Sequence, residues 1–419
     1  MYCMNCGRQQ RDSAKVCRFC GKAVSSKAKK KAPVKIFLVV VLAAVVIGAG
    51  FLVFRGIAGT DTVSGTAESG YVAGQMIRAG KTTYMVLENK DRKITQILKV
   101  DEKADSKAQE IYRIPWPEDG NTEVSLVCII GNTLYFLEQN TYRKSVPYLS
   151  FYELKSLDLK KEGSEPVTIK LKIKGGKQIP ESIIDFCQKT RNKEFTLEDL
   201  LGFQRGFDKN YVYIVQAYEI AYNKAVIFQI DCTTGEVSFV EGRTLGQVEL
   251  WSLRLIKDGY LYYEQLEYEA SRGLYRASLS DLKEEKLMDY PGMNYYFTNV
   301  RVLDDSLIYV LSTNYPEQTG FELHHLDLRT KKDTLIFTIE SIVTFDYTLS
   351  AKTIYYAEQG NLRSCNYDGS NDKLLIKNRG YEGSRVNLCV LGDWIYYRQN
   401  GDWYRVKPGD NEFPTKSLN

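Results

Sequence analysis

Val386-Asn387-Leu388-Cys389-Val390-Leu391 reads as one apolar strand, Trp394-Ile395-Tyr396-Tyr397 as a second and Asp402-Trp403-Tyr404-Arg405-Val406 as a third. Asn400-Gly401 joins the last two, and both residue types tolerate the left-handed backbone of a tight hairpin. The centre of this stretch is a turn residue, a short gap, then an aliphatic residue and tyrosine inside an apolar run. It recurs, with threonine for the aliphatic residue in the first copy, as Thr83-Tyr84, Leu134-Tyr135, Val212-Tyr213, Leu261-Tyr262, Ile308-Tyr309, Ile354-Tyr355 and Ile395-Tyr396. The tyrosines are 51, 78, 49, 47, 46 and 41 residues apart.

Each copy is preceded by an apolar strand pattern, as at Val124–Ile130. Each is followed by a second alternating run, such as Ala225–Ile230, and usually a third, such as Thr334–Ile339. Thr234-Gly235 and Asp368-Gly369 are further hairpin signals. Three or four short strands per 40 to 50 residues is the size of a propeller blade, so seven copies predict an all-β, seven-bladed β-propeller over residues 71–419. A two-sheet sandwich would not generate seven equivalent motifs. On this reading Tyr135, Tyr262, Tyr309, Tyr355 and Tyr396 hold equivalent second-strand positions. The last blade is completed by Glu412–Leu418 or by residues 61–70.

One unit is longer than the rest. Its 78-residue gap contains an insertion at about 178–202, which reads as helix because Ser182 and Thr196 each stand three residues before an aspartate. Ile183, Phe186 and Cys187, then Leu197, Leu200 and Leu201, keep helical spacing, and Gly202 stands where a helix ends. The segment is either a decoration that shapes a binding face or a solvent-side loop.

The N-terminus carries a different signal. Cys3, Cys6, Cys17 and Cys20 form two C-x-x-C-G knuckles. Four soft sulfur ligands on two tight turns can close a tetrahedron around a structural Zn²⁺, with Gly7 and Gly21 free to turn under the metal. Ten Lys and Arg stand in residues 1–35 against Asp12 alone, and then Ile36–Phe54 runs nineteen residues without a charge. At about 1.5 Å per residue this just spans a hydrocarbon core of about 30 Å. The positive-inside bias places the N-terminus in the cytoplasm and the C-terminal part outside the membrane. The sequence therefore divides into a zinc ribbon (1–24), a basic linker (25–35), a transmembrane helix (36–54), a linker (55–70) and the propeller.

Residues 55–419 hold 46 basic and 51 acidic side chains, interspersed, so the outer domain is not a nucleic-acid binder. Its two histidines, His324 and His325, are adjacent on a strand and point to opposite faces, too few for a histidine-centred triad or metal site. Cys128 and Cys389 each lie seven residues before their repeat's tyrosine and read as small buried apolar residues.

The residues around Cys6 and Cys20 resemble the zinc ribbons that open many bacterial membrane proteins, which implies structural metal. Ile354-Tyr355-Tyr356, Gly360-Asn361-Leu362 and Asn366-Tyr367-Asp368-Gly369-Ser370-Asn371 resemble the repeat of bacterial propeller domains of unknown function related to the low-density-lipoprotein-receptor type. The likeness runs over residues 345–410 and more loosely over 250–345. The receptor signature Tyr-Trp-Thr-Asp is absent, so the resemblance implies a fold and a location but no activity. The function expected from sequence is a membrane-anchored extracytoplasmic binding module, not an enzyme, which takes a protein, peptide or cell-wall polymer. The alternatives are a propeller lyase or hydrolase and a transmembrane sensor.

Overall fold

A computed structural model describes residues 63–66, 75–103, 106–142, 149–217 with gaps between 182 and 204, 225–242, 250–267, 270–289, 296–313, 320–339, 345–377, 387–399, 402–409 and 418. The chain forms two compact units, 1–58 and 59–419. The zinc cysteines and the apolar run Ile36–Phe54 lie outside the described residues.

After β1 (Val63–Thr66), the strands fall into seven sheets. Blade 1 is β2 (Met76–Ala79), β3 (Thr82–Asn89), β4 (Ile94–Asp101) and β5 (Gln109–Pro115). Blade 2 is β6 (Gly120–Ile130), β7 (Thr133–Tyr142), β8 (Leu149–Asp158) and β9 (Val167–Thr168). Next comes β10 (Lys172–Ile173), then blade 3 with β11 (Arg205–Asp208), β12 (Tyr211–Ala217), β13 (Ala225–Asp231) and β14 (Glu236–Gly242). Blade 4 is β15 (Leu250–Lys257), β16 (Tyr260–Glu267), β17 (Ala270–Ser278) and β18 (Glu284–Met288). Blade 5 is β19 (Tyr296–Leu303), β20 (Ser306–Thr313), β21 (Gly320–Asp327) and β22 (Asp333–Ile339). Blade 6 is β23 (Asp346–Ser350), β24 (Thr353–Glu358), β25 (Asn361–Asn366) and β26 (Lys373–Ile376). Blade 7 is β27 (Asn387–Leu391), β28 (Trp394–Gln399) and β29 (Asp402–Val406).

The same two-residue turn joins first and second strands in all seven blades. Its first residue has a positive φ each time: Gly80, Gly131, Lys209, Asp258, Asp304, Ala351 and Gly392. That backbone matches the twist of a tight hairpin and fixes the register of every blade. Counting from the turn, the third residue of the second strand is Tyr84, Tyr135, Tyr213, Tyr262, Ile308, Tyr355 or Tyr396. Its third-strand partner is polar throughout: Lys99, Ser156, Gln229, Arg276, His325, Ser364 and Arg405.

Tyr309 departs from the expected equivalence. It is the fourth residue after its turn and packs toward blade 4, whereas Tyr262 of blade 4 faces blade 5. Its equivalents are Tyr263, Tyr356 and Tyr397, and a bulge between Thr298 and Arg301 in β19 accompanies the offset.

Among the described residues, no strand from the start of the domain joins blade 7. β1 does not complete blade 7 but pairs antiparallel with the inner edge of β6. At the outer edge of blade 7, Leu418 donates its N–H to Trp403 O at 2.7 Å and accepts from Ala108 N at 2.9 Å. Side chains join blades 7 and 1: Trp403 Nε1 to Val86 O (2.8 Å), Tyr396 Oη to Thr83 Oγ1 (3.0 Å) and Arg405 Nη1 to Asp101 O (2.7 Å). Arg405 also lies over the Trp394 ring at 4.3 Å. Fully buried Trp403 anchors this seam.

The described residues of the insertion contribute to the core. Thr196 and Asp199 form the expected capping box on a short 3-10 helix, Leu197–Gly202. Ile183, Leu200 and Leu201 are fully buried in the core that blades 1 to 3 share. The chain reaches the insertion through β10, which adds parallel to the outer edge of β14. Gly235 permits this crossing, because a Cβ there would stand 2.3 Å from Lys170 O.

Candidate functional site

Blade 2 departs from the regular ring. β6, β7 and β8 have 11, 10 and 10 residues, whereas among the described residues no other blade strand exceeds the nine of β17. The turn end is fixed in every blade, so the extra length projects from the opposite end of the ring. The second-to-third and fourth-to-first connections belong to that end. Several lie outside the described residues, including 143–148 and 314–319 of the loops Tyr142–Leu149 and Thr313–Gly320. Loops and strand ends on a rigid scaffold are where recognition is usually built.

The face of the projection toward blade 1 carries a continuous polar chain. Trp116 Nε1 donates to Thr95 Oγ1 at 2.8 Å, and that hydroxyl donates to Thr122 O at 2.6 Å. Thr122 Oγ1 donates to Asn140 Oδ1 at 2.6 Å, and Asn140 Nδ2 to Glu138 Oε1 at 2.9 Å. Lys155 Nζ then bridges Glu138 at 2.8 Å and Glu153 at 3.0 Å. Burial alone would lower the Lys155 ammonium, but its hydrogen bonds to both carboxylates outweigh this and hold it above the usual lysine range. Glu138 and Glu153 are direct cross-strand partners, a spacing that resembles the two carboxyls of a glycosidase. With Lys155 between them, the pair forms a fixed charge cluster and does not leave room for a sugar carbon.

At the tip, Phe151 is 47% exposed and meets the edge of Tyr142 at 5.7 Å. On the opposite face Tyr152 receives the Arg205 guanidinium at 5.8 Å. Burial pushes Arg205 below the ordinary arginine range, and its Nη1 donates to Leu201 O at 2.9 Å, which ties this face to the insertion. An exposed aromatic above preorganised amides and charges suits a polar ligand with apolar faces.

A second constellation lies on and beside the first strands of blades 4 to 6. The fifth second-strand position after the turn is Val86, Leu137, Val215, Val310 or Ala357 in five blades. Blade 7 has Arg398, and blade 4 has Glu264, only 1% exposed. Glu264 is paired with Arg254, and its Oε1 is buried without a hydrogen-bond partner. Burial drives the Glu264 carboxyl above its usual range although Arg254 opposes the shift. Arg301 on β19 meets buried Asp346 on β23 at 3.1 Å, and Asp346 accepts the Leu388 N–H of β27 at 2.8 Å. Sequence reasoning missed Glu264; counting each repeat from its turn would have exposed it as a carboxylate in an aliphatic column.

The histidines are apart from both sites. His324 stacks on Tyr309 at 5.2 Å, as Tyr275 stacks on Tyr263 and Tyr404 on Tyr397. Asp333 accepts from Tyr309 Oη (3.0 Å) and faces His324 Nδ1 (2.9 Å), much as Asp372 serves Tyr356 and Arg363 in blade 6. Burial would lower His324, but Asp333 and Glu322 more than offset it and raise the imidazole. His325 points to the other face, against Tyr367. Among the described residues no group of three or more His, Cys, Asp or Glu could hold a metal ion, and no helix is long and apolar enough to cross a membrane.

No protein-family model matches the chain, and no curated protein matches it. Among solved structures it is similar to an oligogalacturonate lyase from Vibrio parahaemolyticus, at 9% identity over 80% of this chain and 87% of that one, TM-score 0.44. It is similar to a prolyl endopeptidase at 11% identity over 88% of this chain and 51% of that one, TM-score 0.49, so it spans about half of that protein. The propeller domain of the Trilobed protease from Pyrococcus furiosus, described as having an open velcro topology, is 12% identical over 85% and 98% of the two chains, TM-score 0.42. Likenesses this distant do not transfer an activity. They do overturn the expectation that the chain is not an enzyme: the matched structures include a lyase and a peptidase, so a ring of this kind is no ground against catalysis.

Proposed function

We propose that the chain is a membrane-anchored propeller that captures a protein, peptide or cell-wall polymer outside the cytoplasm, at the rim raised by blade 2. The observation that carries this reading is the projection of β6–β8, with exposed Phe151 above the network of Asn140, Glu138, Lys155 and Glu153. The anchor rests on Ile36–Phe54 and the flanking charge, and the cytoplasmic side carries a structural zinc site. Four thiols in two C-x-x-C pairs are a donor set that fits Zn²⁺ and leaves no open coordination position. In the test, full chain in lipid nanodiscs is sedimented with purified cell-wall sacculi or surface-protein extracts. Phe151→Ala should lower the co-sedimented fraction at least tenfold; equal recovery would remove blade 2 from the account.

The second reading is a propeller lyase or hydrolase. It is favoured by Glu264, a buried carboxyl with a raised pKa beside Arg254, because such perturbed groups cluster at functional sites. Turnover of wall polymer or acidic polysaccharide by the full chain, abolished in Glu264→Gln, would establish it. Activity unchanged in that variant would exclude Glu264 as its carrier.

A further inference from the structure

Cys128 lies on β6 of blade 2, and Cys232 follows β13 of blade 3, 104 residues further along the chain. Both are free thiols, fully buried in the core shared by blades 1 to 3, and the Cys232 thiol, pushed up chiefly by burial, is raised further by Cys128 beside it. The two thiols therefore meet across a blade junction. Cys365 and Cys389 belong to two other cores, each without a second cysteine among its described residues. The junction is also unusual. The first strands of blades 3 to 7 pack on one another in turn, β27 packs on β2 and β2 on β6, whereas blade 2 meets the insertion's 3-10 helix through β8.

We propose that Cys128 and Cys232 form a disulfide that clasps blade 2 to blade 3. The proposal rests on the extracytoplasmic placement of the ring, because such bonds persist in oxidising compartments. A thiolate of the pair attacks a disulfide donor, such as a thiol–disulfide oxidoreductase, and one donor sulfur leaves as a thiol. The second cysteine then attacks the mixed disulfide, forming the Cys128–Cys232 bond and releasing the other donor sulfur. Two protein thiols are oxidised, and the donor disulfide takes both electrons and both protons. Burial pushes the Cys232 thiol well up and closes it from solvent, so the bond forms while the blades are assembling. A covalent tie here would hold the raised blade at a fixed angle to Arg205 and the insertion.

The full chain, in membranes of its own cells, is denatured without reductant in N-ethylmaleimide, digested and examined by mass spectrometry. The expected result is a linked Cys128–Cys232 peptide pair, with Cys365 and Cys389 alkylated. Linkage of Cys232 to Cys187 or Cys389 would overturn the proposal. If both thiols are alkylated, purified full chain is refolded in a glutathione redox buffer. A selective Cys128–Cys232 bond there supports the pairing and refutes the placement of the ring. No bond there overturns the pairing. Cys128→Ser should leave Cys232 alkylated in cells, which separates a specific pair from promiscuous oxidation.

Discussion

Replacing Lys155 by methionine tests whether the network beneath the blade 2 rim has the electrostatics described. The Lys155 side chain is 14% exposed and that of Glu138 6%, so water screens this pair little, whereas Glu153 is 42% exposed and adds little. Methionine preserves most of the apolar stem but strands the Glu138 carboxylate, which keeps only the Asn140 amide. Breaking a buried pair in this way costs about 3 kcal/mol, the lower end of the usual range because the pair is not sealed. A 361-residue ring at about 2.1 cal/mol/K per residue has an unfolding entropy near 0.75 kcal/mol/K, so the melting temperature should fall by about 4 °C. The double change Lys155→Met with Glu138→Gln removes the orphaned charge and should recover at least half of that loss. Differential scanning calorimetry of the three proteins decides the matter. A single variant within 1 °C of wild type, or a double variant no better than the single, would refute the buried-pair description.

Further outcomes follow from the same geometry. The imidazole of His324 is raised above its unfolded value of about 6.5, so its stabilising effect is complete below that pH and fades as pH rises through the folded value. The stability gap between wild type and His324→Gln should therefore shrink from pH 6 to pH 9; a constant gap would contradict the Asp333 and Glu322 contacts. The Glu264 carboxyl is raised, so wild type loses stability relative to Glu264→Gln as pH climbs from the ordinary carboxyl range toward the folded value. Melting curves between pH 4 and pH 8 showing no trend would place Glu264 in water, and the reverse trend would mean that the Arg254 pair outweighs burial. Deleting residues 411–419 removes two backbone hydrogen bonds and buried Leu418, about 3 to 4 kcal/mol together. It should lower the melting temperature by about 5 °C and shift Trp403 fluorescence; an unchanged melt would mean that the ring does not depend on that outer edge.

Much of the ring was legible because the second strand of each blade is covered on both faces and therefore carries a bulky, recognisable motif. The error at Tyr309 arose from using tyrosine as the anchor. The turn is the fixed point, and counted from Asp304-Asp305 the motif position belongs to Ile308. Two- and four-residue strands such as β10 and β1 have no pattern of their own and exist only through the edge they join. The insertion's leucines showed their helical spacing, but spacing does not reveal that Leu200 and Leu201 fill a core between blades. The candidate site was less legible still. Glu138, Glu153 and Lys155 come together through cross-strand register, and Cys128 meets Cys232 through the packing of blade 2 against blade 3, relations that single strands do not encode.

The central claim is that the projecting end of blade 2 is where the ring meets its ligand. A photo-crosslinking amino acid at Phe151 in the full chain, illuminated in intact cells, tests it against the same probe at Leu335, which is equally exposed on the outer strand of blade 5. The account predicts a discrete adduct at position 151 that free wall polymer or surface extract competes away, and none at 335. Adducts of equal yield at both positions, or adducts at 335 alone, would contradict it.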